Sequence, residues 1–201
     1  MNLDRNQPAL IVRDRVFQII VGEPDVYQHS FGGGAVSLDP AISQEALRHV
    51  FTLDLSDARL GFEGAAAGLL PLLYCFESAG RVQYSYSEER GLEILEMTDY
   101  PLDPDFPYPD YPRDFPVFPV RLEEVNYDDF NEVIGSYAYS ANLEYREDAV
   151  FDPWTHCYVI AVPCEKYGVS LWGEDGDAEM VEAAFAIDLN TRAVTADQGC
   201  S

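Results

Sequence analysis

Residues 99–120 read DYPLDPDFPYPDYPRDFPVFPV, and the fold turns on whether this run is a tail, a recognition strip or a strap across a domain. Seven prolines, six aromatics and five aspartates share the twenty-two positions. Proline fixes φ near −65°, has no amide to donate, and biases the residue before it toward extended conformations. Residues 101–119 are therefore predicted to be neither helix nor central strand, which leaves polyproline II geometry and turns. Disordered linkers are poor in aromatics. Here Tyr100, Phe106, Tyr108, Tyr111, Phe115 and Phe118 need burial, so an ordered, extended connection is expected. Its rings either pack across the protein's own sheet or are displayed with Asp103, Asp105, Asp110 and Asp114 to a partner.

The segments on either side supply the pattern. Ala9–Val21 reads as two short strands around Arg13-Asp14-Arg15, and His29–Gly34 as a loop. Asp39-Pro40 resembles a helix start, a capping side chain followed by proline in the first turn, and predicts a helix over Ala41–Phe51. Leu70–Glu77, Arg81–Ser87 and Leu92–Met97 read as an antiparallel meander, with Val82, Tyr84 and Tyr86 alternating against Gln83, Ser85 and Ser87. Asn126 caps a predicted helix near Tyr127–Ile134 that Gly135 ends. Cys157–Val162, Gly168–Trp172, Val181–Leu189 and Ala193–Ala196 form a second predicted meander, with a turn at Asn190-Thr191-Arg192. A helix over Glu179–Ala186 is the alternative for the third of these, and strand is preferred. The expected fold class is α+β: mainly antiparallel sheet in two meanders, two or three helices, and a proline-rich extended connection. The expected organisation is one acidic domain over residues 1–201, with the strap 99–120 joining its halves.

Hydrophobic residues make up 47% of the chain and aromatics 13%, which supplies a core and argues against global disorder. The first sixteen residues lack a basic segment leading into an apolar one, so no signal peptide is expected. No uncharged run is longer than the thirteen residues of Gly64–Phe76, which is too short to span a bilayer. A cytoplasmic location with reduced thiols at Cys75, Cys157, Cys164 and Cys200 follows as the expectation.

Thirty-six acids against twelve bases give a formal charge of −24. Such a field repels phosphate backbones and anionic membranes and attracts a basic partner, so neither nucleic acid nor membrane is an expected direct partner. Lys166 is the only lysine beside eleven arginines, a skew that a G+C-rich genome or a high-salt cytoplasm produces without any partner.

The motifs carry little chemistry. Phe31-Gly32-Gly33-Gly34 lacks the Lys-Ser/Thr of a phosphate loop and reads as a loop between elements. His29, His49 and His156 are too dispersed for a zinc site, and His156 and Cys157 point to opposite faces if they lie on a strand. Asp175-Gly176-Asp177 opens like a calcium loop, but Met180 and Ala186 stand where glycine and glutamate are required. No catalytic residue, metal or cofactor is predicted, and an enzyme is the less favoured reading.

The expectation is an acidic binding protein that neutralises a basic protein, most concretely a bacterial immunity protein that inhibits a toxin. Aromatic anchors in an acidic rim suit an arginine-rich surface. The partner-binding candidates are Asp103, Asp105, Tyr108, Asp110, Tyr111 and Asp114, with Glu174, Asp175 and Asp177 at an acidic hairpin tip. Two alternatives compete. One is a small-ligand binder or enzyme in a halophilic or G+C-rich host, with a pocket lined by Trp154, His156 and Trp172. The other is a mimic of DNA, which needs carboxylates spaced like phosphates.

Overall fold

The computed structural model describes residues 9–39, 46–62, 68–75, 80–98, 114–128, 131–132, 152–161 and 181–200. Its strands are β1 (Ala9–Val12), β2 (Arg15–Val21), β3 (Ser30–Gly33), β4 (Val36–Ser37), β5 (Ala46–Asp54), β6 (Leu69–Tyr74), β7 (Val82–Ser87), β8 (Gly91–Met97), β9 (Phe115–Val125), β10 (His156–Ala161), β11 (Val181–Asp188) and β12 (Val194–Cys200). They form one sheet in the order β4-β5-β3-β9-β2-β1-β10-β11-β12-β7-β8, with β6 also paired to β5. Every pairing is antiparallel.

This overturns the α+β expectation. The described residues are nearly all antiparallel sheet curved into a half-barrel, with no α-helix among them beyond the two helical positions 131–132. The helix expected over Ala41–Phe51 is strand β5 from Ala46 onward, and residues 41–45 lie outside the described part. Leu47, Arg48 and positions 50–54 are all buried, polar Thr52 and Asp54 among them, so burial runs along the segment without the alternation that would mark a strand. Neighbours on both sides decide it: β3 pairs at Phe51 and Thr52, and β6 along Arg48–Asp54. In the second expected helix only residues 131–132 are described as helical, and most of the rest lies outside the described residues.

The proline-rich run needs a second correction. Phe115–Val125 is a strand in the middle of the sheet, with β2 along one edge and β3 along the other. It carries both Pro116 and Pro119. Proline survives in a sheet where its missing amide is not called upon. Pro116 lies where the β3–β9 register shifts between Phe31 and Gly33. Pro119 lies just past the last β2 pair, Val21–Val120, where its carbonyl still accepts from Gly22 N at 2.8 Å. Residues 99–113 lie outside the described part.

The two halves also interleave instead of lying side by side. Strand β1 pairs with β10, and β7 pairs with β12. The expected three-stranded first meander is broken: β7 and β8 form a hairpin, but the backbone ladder of β6 is with β5. Strands β10, β11 and β12 do follow one another, with the turn at 189–191, and the strand reading of Val181–Asp188 is the observed one. The strand expected over Gly168–Trp172 lies outside the described residues.

Alternation sorts the central side chains. Leu10, Val12, Phe17, Ile19, Val159, Phe185 and Ile187 join the main core inside the curve, together with Phe51, Leu72, Tyr74 and Tyr84. Ala9, Ile11, Val16, Tyr158, Ile160 and Ala184 form a smaller cluster on the other face. The curvature brings β6 back against β7 and β12. That seam is bridged by a side chain: the Tyr84 hydroxyl accepts from Leu73 N at 2.7 Å and donates to the Pro71 carbonyl at 3.0 Å.

The expected loop at the glycines is strand β3 as far as Gly33, and close approach explains two of the three glycines. A Cβ on Gly32 (φ 83°) would lie 2.0 Å from the Pro116 carbonyl oxygen, and one on Gly33 would lie 2.4 Å from the His49 ring. Gly32→Ala is expected to destabilise by about 2 kcal/mol or more, through a left-handed φ and a backbone clash. Denaturant unfolding measures it, and a change within a few tenths of a kcal/mol contradicts the packing described.

Candidate functional site

The loop 22–29 after β2 and the turn 55–61 after β5 meet in the one large buried polar cluster among the described residues. Asp57 caps the 3-10 turn Ala58–Leu60 by accepting from Arg59 N, and Gly61 ends that turn at φ 70°. The Asp57 side chain is fully buried, as is that of His29, whose Nε2 lies 3.0 Å from Asp57 Oδ2. The other ring nitrogen, Nδ1, accepts from Asp54 N at 3.1 Å. A backbone N–H aimed at Nδ1 requires a lone pair there, so the proton sits on Nε2 and is donated to Asp57.

Arg59 closes the cluster. Its Nε and Nη2 reach Asp57, Nη2 also reaches Asp25 at 2.7 Å, and Nη1 donates to the Leu122 carbonyl at 3.0 Å. The guanidinium carbon stands 5.1 Å from the Tyr27 ring centre and 5.8 Å from that of Phe17. Leu122 N in turn donates to Asp25. The Asp25–Arg59 pair thus occupies the β9 edge just where β3 has ended, standing in for ladder partners.

Burial pushes the Asp57 carboxyl up, but hydrogen bonds from His29 and Arg59 outweigh it and hold the group near 2. Asp54 and Asp25 are also lowered: burial opposes ionisation, and backbone and side-chain donors win. A carboxylate depressed on folding adds stability that is complete above its ordinary value of 3.8 and is lost as pH falls through its folded value. Between about pH 4 and pH 2 the Asp57 contribution, about 2 kcal/mol, is expected to disappear. Urea unfolding at pH 6 and pH 3 should show a flatter pH dependence for Asp57→Asn, and an unchanged one contradicts the assignment.

This cluster is unsuited to catalysis. Both ring nitrogens of His29 are committed, and Asp57 is enclosed. The Ser56 hydroxyl beside it is engaged as well, donating to Asp54 Oδ1 at 2.6 Å. It fastens loops to strands. Its members are scattered over residues 25–59 and escaped the sequence reading; the usable signal was Asp57 three residues before Leu60-Gly61, a cap at each end of one turn.

Of the predicted partner-binding residues, Asp103, Asp105, Tyr108, Asp110, Tyr111, Glu174, Asp175 and Asp177 lie outside the described residues. Asp114 is described and exposed, and its Oδ1 accepts from Ala35 N at 2.8 Å. Cys157 is fully buried, and burial raises its thiol, whereas His156 on the neighbouring position is partly exposed, 4.0 Å from Asp188. Cys157 is a free thiol. Trp154 is 62% exposed, and Trp172 lies outside the described residues, so the described part assembles no pocket from Trp154, His156 and Trp172. Among the described residues no three acids, histidines or cysteines are grouped to hold a metal, and no helix is long and apolar enough to cross a membrane.

The exposed acids are distributed unevenly. On β9 and at Glu23, just past β2, they are matched: Arg15 forks onto Glu124 at 3.0 and 2.6 Å, and Arg121 bonds Glu23 and Glu123. On the β7–β8 hairpin Glu88, Glu89, Glu93 and Glu96 are exposed with Arg90 alone among them, and no ion pair joins them among the described residues. Comparison with protein-family models, curated proteins and solved structures returned no match to this chain.

Proposed function

We propose that this chain is an acidic binding protein that neutralises a basic protein partner, most concretely an immunity protein that blocks a toxin. The observation that carries the reading is the formal charge of −24, together with exposed carboxylates that the chain's own arginines do not match. A surface of that kind draws in a cationic partner and repels nucleic acid directly. The acids and rings of the proline-rich run (Asp103, Asp105, Tyr108, Asp110, Tyr111 and Asp114) and of the 174–177 stretch belong to the proposed surface. Asp114 also holds the Gly34-Ala35 backbone, so its reversal to lysine combines a charge effect with a lost cap.

The immobilised chain is expected to retain basic proteins from a host extract, released as salt is raised. Association with the purified partner should slow about tenfold or more over the same salt range. Retained proteins that are not basic, or an association rate indifferent to salt, overturn the reading.

A further inference from the structure

Strand β8 is the last strand of the sheet among the described residues. It pairs with β7 on one side, and no strand among the described residues lies on the other. Leu92, Ile94 and Met97 pack inward against the core. Glu93, Leu95 and Glu96 are exposed, Leu95 to 51%, beside an irregularity where the β7 partners step from Glu96 to Ile94. An open edge offers a row of backbone donors and acceptors to any extended chain, and proteins guard such edges with charge and bulges. Glutamates here repel another copy of this acidic chain. The same charges favour a cationic strand, so the guard against self-pairing also selects a partner.

We infer that the open edge of β8 takes an extended, lysine- or arginine-bearing segment of the basic partner as an added strand. Backbone bonds to the edge supply affinity, the glutamates at 93 and 96 meet the cationic side chains, and Leu95 meets an apolar one. This rests on the acidic-binder reading and adds the place and mode of docking. In sequence the edge leads directly into the proline-rich acidic run.

The test uses the full chain and a capped peptide alternating lysine with threonine and valine. A control of the same sequence is N-methylated at two adjacent residues, which removes donors from both edges without changing charge. The peptide is expected to bind at low ionic strength and to protect β8 amides that otherwise exchange freely. Glu93→Lys with Glu96→Lys should weaken binding about tenfold or more, as should N-methylation, whereas Glu23→Lys with Glu123→Lys changes net charge equally and should cost about threefold at most. Leu95→Lys, which keeps both glutamates, is expected to weaken binding as well. Equal losses from the two charge reversals, or an N-methylated peptide that binds as tightly, overturn the docking edge. If that binding is nonetheless salt-dependent, the acidic-binder reading stands. No salt-dependent peptide binding at all overturns both.

Discussion

Arg59→Met is expected to cost about 3–5 kcal/mol, the range for removing one partner of a buried ion pair. Methionine fills much of the same volume, so the loss isolates the guanidinium. What remains is a fully buried Asp57 carboxylate held by His29 and one backbone amide, an Asp25 without its cation, and a Leu122 carbonyl without its donor. The lower half of the range is favoured because the Arg59 side chain is 28% exposed and water can reach the gap. Replacing Asp57 as well, by leucine, removes the stranded charge, so the double variant should lose less than the two single losses added. Equilibrium unfolding of the four proteins measures this. A single-variant loss under about 1 kcal/mol, or plain additivity, shows that the cluster does not hold the β9 edge.

Tyr84→Phe is expected to cost about 2–4 kcal/mol by removing one oxygen atom. That hydroxyl satisfies one donor and one acceptor of β6 in a site closed to water, and each buried group left unpaired costs about 1–3 kcal/mol. Pro71 has no amide of its own, which makes its carbonyl and Leu73 N the groups through which the seam is joined. Faster exchange at the Leu73 amide, with β1 and β10 unchanged, is the local signature. Uniform acceleration across the sheet shows instead that the tyrosine acts only on global stability.

Strands whose side chains alternate between a wet and a buried face were legible in the sequence, as in Val82–Ser87 and Gly91–Met97; Val181–Asp188 was legible because large apolar residues alternate with small or acidic ones, although Ala184 is buried on its second face. Strand β5 was not, because burial on both faces erases the period that separates strand from helix. The central position of Phe115–Val125 was masked by two prolines whose tolerance depends on a register shift and a ladder end supplied by other segments. Pairing order was out of reach for the same reason: nothing local in Ala9–Val12 names Cys157–Ile160 as its neighbour. At the candidate surface the surplus of acid was visible, but not its division between matched acids on β9 and at Glu23 and unmatched acids on the β7–β8 hairpin. That division follows from which strands are central and which is last among the described residues.

The interleaved pairing also governs how the molecule comes into being. Strand β1 is made early yet waits for β10, and β7 waits for β12. Local hairpins such as β1–β2 and β7–β8 close at once, but joining them means closing very long loops, which slows folding of β-rich domains to milliseconds or seconds. During synthesis the nascent chain therefore holds two half-finished sheets with unpaired borders until residues 181–200 arrive. A surplus of negative charge keeps such halves on neighbouring ribosomes apart. The acidity proposed to attract a partner in the finished protein also shields the unfinished one.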